Sequence, residues 1–290
     1  MRWLPLVLVV AGCAPGLNRG SDSGGLTIAT WNMEHLAEAD GAGCRPRQNA
    51  DYLAMRAYAE QLQADVVAIE EVESVRAAER VFDPEQWVVL VEERMGSGRR
   101  GECGGARGGT LTAQKTGFAV RRGVRLTRNP DVTSLQVGNA DLRSGVDITV
   151  QPRRGAPLRL LSVHLKSGCS SGASGAACET LQRQIPELES WIDARAAESI
   201  PFAVLGDFNR RLSAANDAAW AEIDDGDPAN ADLTLAAGQA FAGCDPRYSA
   251  FIDHIVLDRR ASERRREFTE HTYAGPKLSD HCAVSVRLQP

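Results

Sequence analysis

Six short stretches of this chain share one plan: an apolar, β-prone run that ends in side chains able to bind a metal ion or a phosphate. They are Thr30-Trp31-Asn32-Met33-Glu34, Ala68-Ile69-Glu70-Glu71-Val72, Ser162-Val163-His164-Leu165-Lys166, Leu205-Gly206-Asp207-Phe208-Asn209, Phe251-Ile252-Asp253-His254 and Leu278-Ser279-Asp280-His281. A short continuous apolar run is how a strand buried on both faces reads, and a polar residue at its end ordinarily does no more than cap a turn. One such stretch is therefore weak evidence of a site. Six of them in this order, holding three of the five histidines, are more than coincidence.

The segments between these stretches alternate in period. Tyr52, Met55, Ala59 and Leu62 recur at helical spacing, so residues 49–63 are expected to form an amphipathic helix. Leu181, Ile185, Leu188 and Ile192 mark a second helix, which Pro186 starts or kinks. Strands are expected over 26–31, 66–69, 118–120, 146–150, 158–165, 201–205, 251–257 and 283–288, and a long exposed loop over the Gly- and Arg-dense residues 96–110. No internal repeat or change of composition divides the chain after residue 25, so residues 26–290 read as one α/β domain.

The first 25 residues are of a different kind. Arg2 followed by the short apolar stretch 4–11 has the shape of a secretory signal, and no apolar run reaches the roughly 20 residues needed to span a bilayer. The ending Val10-Ala11-Gly12-Cys13 resembles the lipobox of bacterial lipoproteins, which implies that residues 1–12 are removed, that Cys13 carries lipid, and that 13–25 form a Gly/Ser-rich tether. Six cysteines then remain, Cys44, Cys103, Cys169, Cys178, Cys244 and Cys282. An even number without a C-x-x-C pair suits disulfides in an oxidising compartment better than zinc. Fifteen connectivities are open, with Cys169–Cys178 the favoured pair because it closes a short Gly/Ser/Ala loop. The expected location is extracytoplasmic, with the membrane reached through the lipid anchor only. Net charge is −5, and three of the 33 basic residues are lysines, which excludes nucleic-acid binding by a bulk positive field but leaves room for a local arginine patch.

The six stretches, in this order, resemble the endonuclease/exonuclease/phosphatase superfamily of DNase I-like nucleases, sphingomyelinases and inositol phosphatases. Gly206-Asp207-Phe208-Asn209 and Ser279-Asp280-His281 carry the most specific part of the resemblance, which runs from about residue 26 to the C-terminus. It implies a four-layer α/β sandwich of two packed mixed sheets flanked by helices. It also implies metal ligation by Asn32, Glu71 and Asp280, a water- and phosphate-orienting pair in Asp207 and Asn209, and His164 and His281 on either side of the scissile phosphate, with Asp253 bonded to His281. Magnesium is the expected ion, since it takes few protein oxygens and keeps water and phosphate oxygens in its shell; manganese and calcium stay open. Lys166 and the Arg210-Arg211 pair are expected to hold phosphate or backbone oxygens, and a further basic face is expected from 94–107 with Arg121 and Arg122. Strand alternation directs Glu70 away from the site if Glu71 points in, and by the same reasoning makes His254 structural. His35 and His271, outside any constellation, are expected at the surface.

Secreted DNases of this superfamily carry an arginine two residues after the metal glutamate and a glutamate paired with their first histidine. This chain has Glu73 and Gln114 there. The expected activity is a metal-dependent phosphoester hydrolase, a nuclease-like phosphodiesterase, acting on nucleic acid or, alternatively, on a phospholipid or small phosphate ester. No obligate protein partner is implied. The reading from another class, an inactive surface-anchored binding module, is disfavoured because every metal and histidine position is filled.

Overall fold

The computed structural model describes residues 24–97, 101–104, 109–152, 154–172, 174–228 and 231–290. The signal and tether segments up to residue 23, with Cys13, lie outside the described residues, as does part of the arginine-rich 94–107 stretch.

Two six-stranded sheets form the centre. One has the order β11-β12-β1-β2-β4-β3 and the other β5-β6-β7-β8-β10-β9. In the first, β1 (Leu26–Leu36) and β2 (Val66–Val72) are parallel and joined by helix α1 (Asn49–Gln61). β4 (Lys115–Arg121) and β3 (Trp87–Val91) extend it on one side, and β12 (Ala283–Leu288) and β11 (Arg265–His271) on the other. In the second, β7 (Leu158–His164) and β8 (Phe202–Asp207) are the parallel pair, joined by helix α3 (Ala176–Ala196). Around them run β5 (Arg125–Arg128), β6 (Val146–Gln151), β9 (Leu233–Leu235) and β10 (Asp253–Asp258). Short helices α2 (Val75–Glu79), α4 (Ala218–Ile223) and α5 (Arg259–Glu263) decorate the connections. Parallel neighbours need a crossover, and in each sheet a helix supplies it.

Strand alternation divides the core into three apolar interfaces. Ile28, Ala68, Phe118, Leu160, Leu205 and Val286 pack between the sheets. Their neighbours on the same strands, Trp31, Ile69 and Ala119, pack outward with Tyr52 and Met55 of α1. Leu161, Val163 and Val204 pack outward with Leu181, Ile185 and Leu188 of α3. Three interfaces require four layers, so the four-layer sandwich follows from which way each side chain points. Pro186 lies inside α3 on its exposed side, while Ile185 beside it is buried. Among the described residues no helix is long and apolar enough to cross a membrane.

All six cysteines after Cys13 are paired: Cys44–Cys103, Cys169–Cys178 and Cys244–Cys282. Each disulfide lies at the sandwich edge where the parallel strands end, with Cys178 in the first turn of α3 and the other five cysteines in loops.

Candidate active site

The two parallel pairs end at the same edge of the sandwich. Asn32 lies near the end of β1, Glu71 in the last turn of β2, His164 at the end of β7 and Asp207 at the end of β8. The antiparallel partners bring their beginnings to that edge. Asp253 opens β10 and pairs in register with Asp207, and His281 lies two residues before β12, the strand that runs beside β1. Gly206 is the residue that allows β8 to approach β7 here, because a Cβ at this position would sit 1.9 Å from the Val163 carbonyl oxygen.

Backbone strain is concentrated at the same edge. Glu34, His35, Glu71 and Asn209 have φ of 42°, 54°, 58° and 51°, a left-handed region that costs a non-glycine residue free energy and collects at functional sites. At Glu71 the β2 pairing shifts register, so strict alternation ends there.

Asp207 is the hub. Its Oδ2 accepts from Asn32 Nδ2 at 3.0 Å and lies 3.6 Å from His164 Nε2 and 3.9 Å from His281 Nε2. Its Oδ1 accepts the Asn209 amide at 2.7 Å, while Asn209 Nδ2 donates to the Leu165 carbonyl at 3.2 Å. Glu71 approaches the same His164 nitrogen, with Oε1 3.8 Å from Nε2. His281 Nδ1 is 2.8 Å from Asp253 Oδ2, and its Nε2 is 3.9 Å from Asp280 Oδ1. Asp207, Asp253 and His281 each offer a ligand atom within 4.8 Å of the others. The Asp280 carboxylate is 65% exposed and its amide donates to Glu34 Oε2 at 3.0 Å.

The two histidines that face Asp207 are tuned in opposite directions. Burial drives His164 well below the ordinary histidine value, and the nearby Arg143 cation adds to the fall. His281 feels the same burial, but the charges of Asp253 and Asp207 and the hydrogen bond that its ring donates to Asp253 outweigh it and raise its pKa well above the ordinary value. Asp207 is pushed up to about 7 by burial and by Asp253, against the pull of His281 and its hydrogen bonds. Two histidines of lowered and raised proton affinity therefore flank one carboxylate, a separation suited to acid–base work.

Several expected placements change. Arg210 does not face a phosphate. Its Nε donates to Asp217 Oδ2 at 2.7 Å and its Nη1 to the carbonyls of Cys169 and Gly172 at 3.2 and 2.7 Å, so the guanidinium is consumed in holding the Cys169–Cys178 loop. Arg121 and Arg122 lie at the other edge, because β4 runs antiparallel to β2; Arg121 stacks on Trp87 and pairs with Glu60, and Arg122 donates to the Pro84 carbonyl. Lys166 stays beside the site, its Nζ donating to the Ser167 carbonyl at 2.8 Å. Glu70 is fully buried beneath the site rather than turned away, its Oε1 accepting from Thr30 Oγ1 at 2.9 Å. Burial raises its pKa well above the ordinary value, with Asp253 adding to the rise. His254 is structural, its Nε2 2.9 Å from the Arg210 carbonyl oxygen. His271 is half-buried in β11, 2.8 Å from Ser285 Oγ.

His35 and Arg143 were not found by sequence reasoning. The His35 amide donates to Glu71 Oε2 at 3.1 Å, its Nε2 is 3.6 Å from the same oxygen, and its Nδ1 is 3.2 Å from Gln114 Nε2. Gln114 thus serves His35 and not His164, whose buried Nδ1 meets no partner among the described residues. Glu73 backs the neighbouring turn, accepting the Glu38 amide at 2.7 Å. Arg143 donates to the carbonyls of His164 and Leu165 at 3.2 and 2.9 Å and lies within electrostatic reach of Glu71 and Asp207. Its local signal in the sequence, a polar residue before the β6 run, is too ordinary to single it out.

Known structures share this architecture. Humanised D. rerio TDP2 has a TM-score of 0.59 at 15% identity, covering 92% of this chain and 100% of its own. The Neisseria 3′ phosphatase NExo, solved with a product DNA hairpin, has a TM-score of 0.60 at 13% identity, covering 91% and 100%. An endonuclease/exonuclease/phosphatase protein of Beutenbergia cavernae has a TM-score of 0.59 at 18% identity, covering 91% and 71%. At these identities the likeness is one of fold. No curated protein matches the chain. A model of the Endonuclease/Exonuclease/phosphatase family does match, over residues 29–281, a span that contains every side chain assembled at the edge described above. The chain belongs to that family of DNase I-like phosphoester hydrolases.

Proposed function

We propose that this protein is a divalent-metal-dependent phosphodiesterase, nuclease-like in its chemistry, that works outside the cytoplasm. The observation that carries the reading is the Asp253–His281–Asp207–His164 row, in which a carboxylate-held histidine and a neutral histidine face one buried aspartate.

Support for a cation comes from the donor set. Glu71, Asp207, Asp253 and Asp280 crowd one edge, and Asp253 Oδ1 is buried with no hydrogen-bond partner among the described residues. Such an excess of hard anionic oxygen fits a magnesium-like ion, with manganese and calcium as competitors. Glu71, Asp280 and the Asn32 amide oxygen would hold it, leaving Asp253 to His281. A bound divalent cation supplies charge stabilisation for the nonbridging oxygens of the phosphate.

The chain's own groups account for the rest. Asp253 on Nδ1 fixes the His281 tautomer, so that Nε2 takes the proton of an attacking water and the imidazolium formed is stabilised by the same carboxylate. Asp207 orients that water through its contact with His281, and its position is held by the Asn32 and Asn209 donors. His164, Asn209 and Lys166 face the phosphate oxygens as hydrogen-bond donors, and Arg143 stabilises the His164 strand end from behind.

A panel of plasmid DNA, RNA, sphingomyelin and bis-p-nitrophenyl phosphate, each with and without Mg²⁺, tests the reading. Cation-dependent turnover of at least one diester is expected. Turnover of none, or turnover indifferent to chelation, overturns it.

Location is part of the proposal. Three disulfides suit an oxidising compartment, and lipid on Cys13 would anchor the protein, since a diacyl anchor buries many methylenes at about 0.8 kcal/mol each. Cys13→Ser is expected to shift the protein from membrane to soluble fraction. A mature N-terminus beyond residue 13 by mass spectrometry would refute the anchor.

A further inference from the structure

Beside the catalytic edge lies a surface loop that the chemistry above leaves unused. Residues 242–249 make a closed excursion whose base is fastened by the Ala242 amide donating to the Ser249 carbonyl at 3.0 Å. The loop is held from several sides. Cys244 is bonded to Cys282, the residue after His281. The Glu270 carboxylate accepts the Gly243 and Cys244 amides at 2.7 and 3.1 Å, and Asp245 binds Arg247 at 2.7 Å. On this fixed support Tyr248 is 51% exposed. The guanidinium of Arg247 lies 5.4 Å from its ring centroid, and that of Arg211 lies 5.9 Å away.

Isolated exposed aromatics are common and need no explanation. Three features set Tyr248 apart. Its loop is covalently tied to the residue next to His281, its flanking Arg211 follows Asn209 by two positions, and the chain passes from Tyr248 into Asp253 within five residues. The ring is therefore carried by a loop fastened to the segment that bears His281, a support that needs no ordering when a ligand arrives. Its company defines the ligand. A quaternary ammonium headgroup would meet two guanidinium cations, and an acyl chain would meet a loop carrying Asp245 and the 74% exposed Arg247. A planar base attached to phosphates meets a π-face for stacking and cations for its backbone.

We infer that Tyr248, flanked by Arg211 and Arg247, is a nucleobase-stacking platform that holds a nucleotide neighbouring the scissile phosphate of a single strand. Only an unpaired base can offer its face, so the preference is for single-stranded or frayed nucleic acid. The inference rests on the phosphodiesterase reading and narrows its substrate.

Binding measured without turnover tests it. Fluorescence anisotropy in chelator would compare a labelled oligothymidylate with a base-free deoxyribose-phosphate oligomer of the same length. Tyr248→Ala is expected to weaken binding of the base-bearing strand roughly 5- to 100-fold, to leave the base-free strand unchanged, and to be rescued by Tyr248→Phe. Arg211→Ala and Arg247→Ala are expected to weaken both strands and to lower the salt slope by about one each. Equal wild-type affinity for the two strands, or an equal loss for both in Tyr248→Ala, overturns the platform. Loss of binding to anionic phosphatidylserine vesicles in Tyr248→Ala, with oligonucleotide binding intact, overturns it in favour of a lipid headgroup. Turnover of bis-p-nitrophenyl phosphate by the metal-loaded wild type decides the phosphodiesterase reading separately.

Discussion

The Asp253 carboxylate engages the Nδ1 side of His281 at 2.8 Å and leaves the Nε2 side turned toward Asp207. Asp253→Asn keeps the shape of this contact but removes the charge that favours the imidazolium. Turnover is expected to fall by ~10²–10⁴ with folding and cation affinity retained. Steady-state kinetics across pH, paired with calorimetric cation titration, checks both halves. Near wild-type turnover with an unchanged pH profile would remove Asp253 from the chemistry, and a loss of cation affinity would make it a ligand.

Glu71→Gln removes one anionic oxygen donor and leaves a side chain of equal size. Calorimetry is expected to show Mg²⁺ binding weakened by at least about tenfold, with activity lost at low cation and partly regained at high cation. The thermal midpoint without cation should move little or upward, because like charge near Asp207 is relieved. Activity of this variant in excess chelator would sink the metal assignment.

Stability without cation should fall as pH rises from about 6.5 to 8.5. His281 is raised well above the ordinary histidine value, Glu70 well above the carboxylate range, Asp207 to about 7 and Glu189 to about 8. In this window the folded chain therefore holds protons that the unfolded chain has released. The stabilisation is present below the unfolded values and is lost as pH climbs through the folded ones. His164, His254 and His271 are shifted downward and act oppositely, but only below about 6.5, where unfolded histidines take up protons. Denaturant midpoints at several pH values test the sign. Glu70→Gln should flatten the slope, since a neutral Glu70 and a glutamine are alike, and a steeper slope in that variant would contradict a protonated Glu70.

Gly206→Ala is expected to abolish the cooperative fold or the soluble protein, because the added methyl carbon would lie 1.9 Å from the Val163 carbonyl oxygen at the centre of the second sheet. Circular dichroism and a thermal melt would show it. A wild-type melt would mean that β7 and β8 separate more easily than their packing implies.

The sequence made the central strands and most of the candidate site legible because both are written in short apolar runs that end in chemistry, as at Leu205-Gly206-Asp207. Edge strands escaped that reading. β11, Arg265–His271, keeps much of its length partly exposed and so shows no apolar run. Glu70 and His35 escaped for a backbone reason: left-handed residues at Glu34, His35 and Glu71 end the two-residue alternation just where the site begins. Arg210 misled through nearness. It follows Asn209, but Asp217 captures its guanidinium from seven positions on, a pairing that only the folded loop reveals.

The placement of the three disulfides separates two properties that usually travel together. None crosses the sheets; each ties a loop at the edge where Asn32, His164 and His281 stand. The apolar layers pack between and outside the sheets, while covalent links restrict the loops that border the site, so the stiffness of that edge is set apart from the packing of the core.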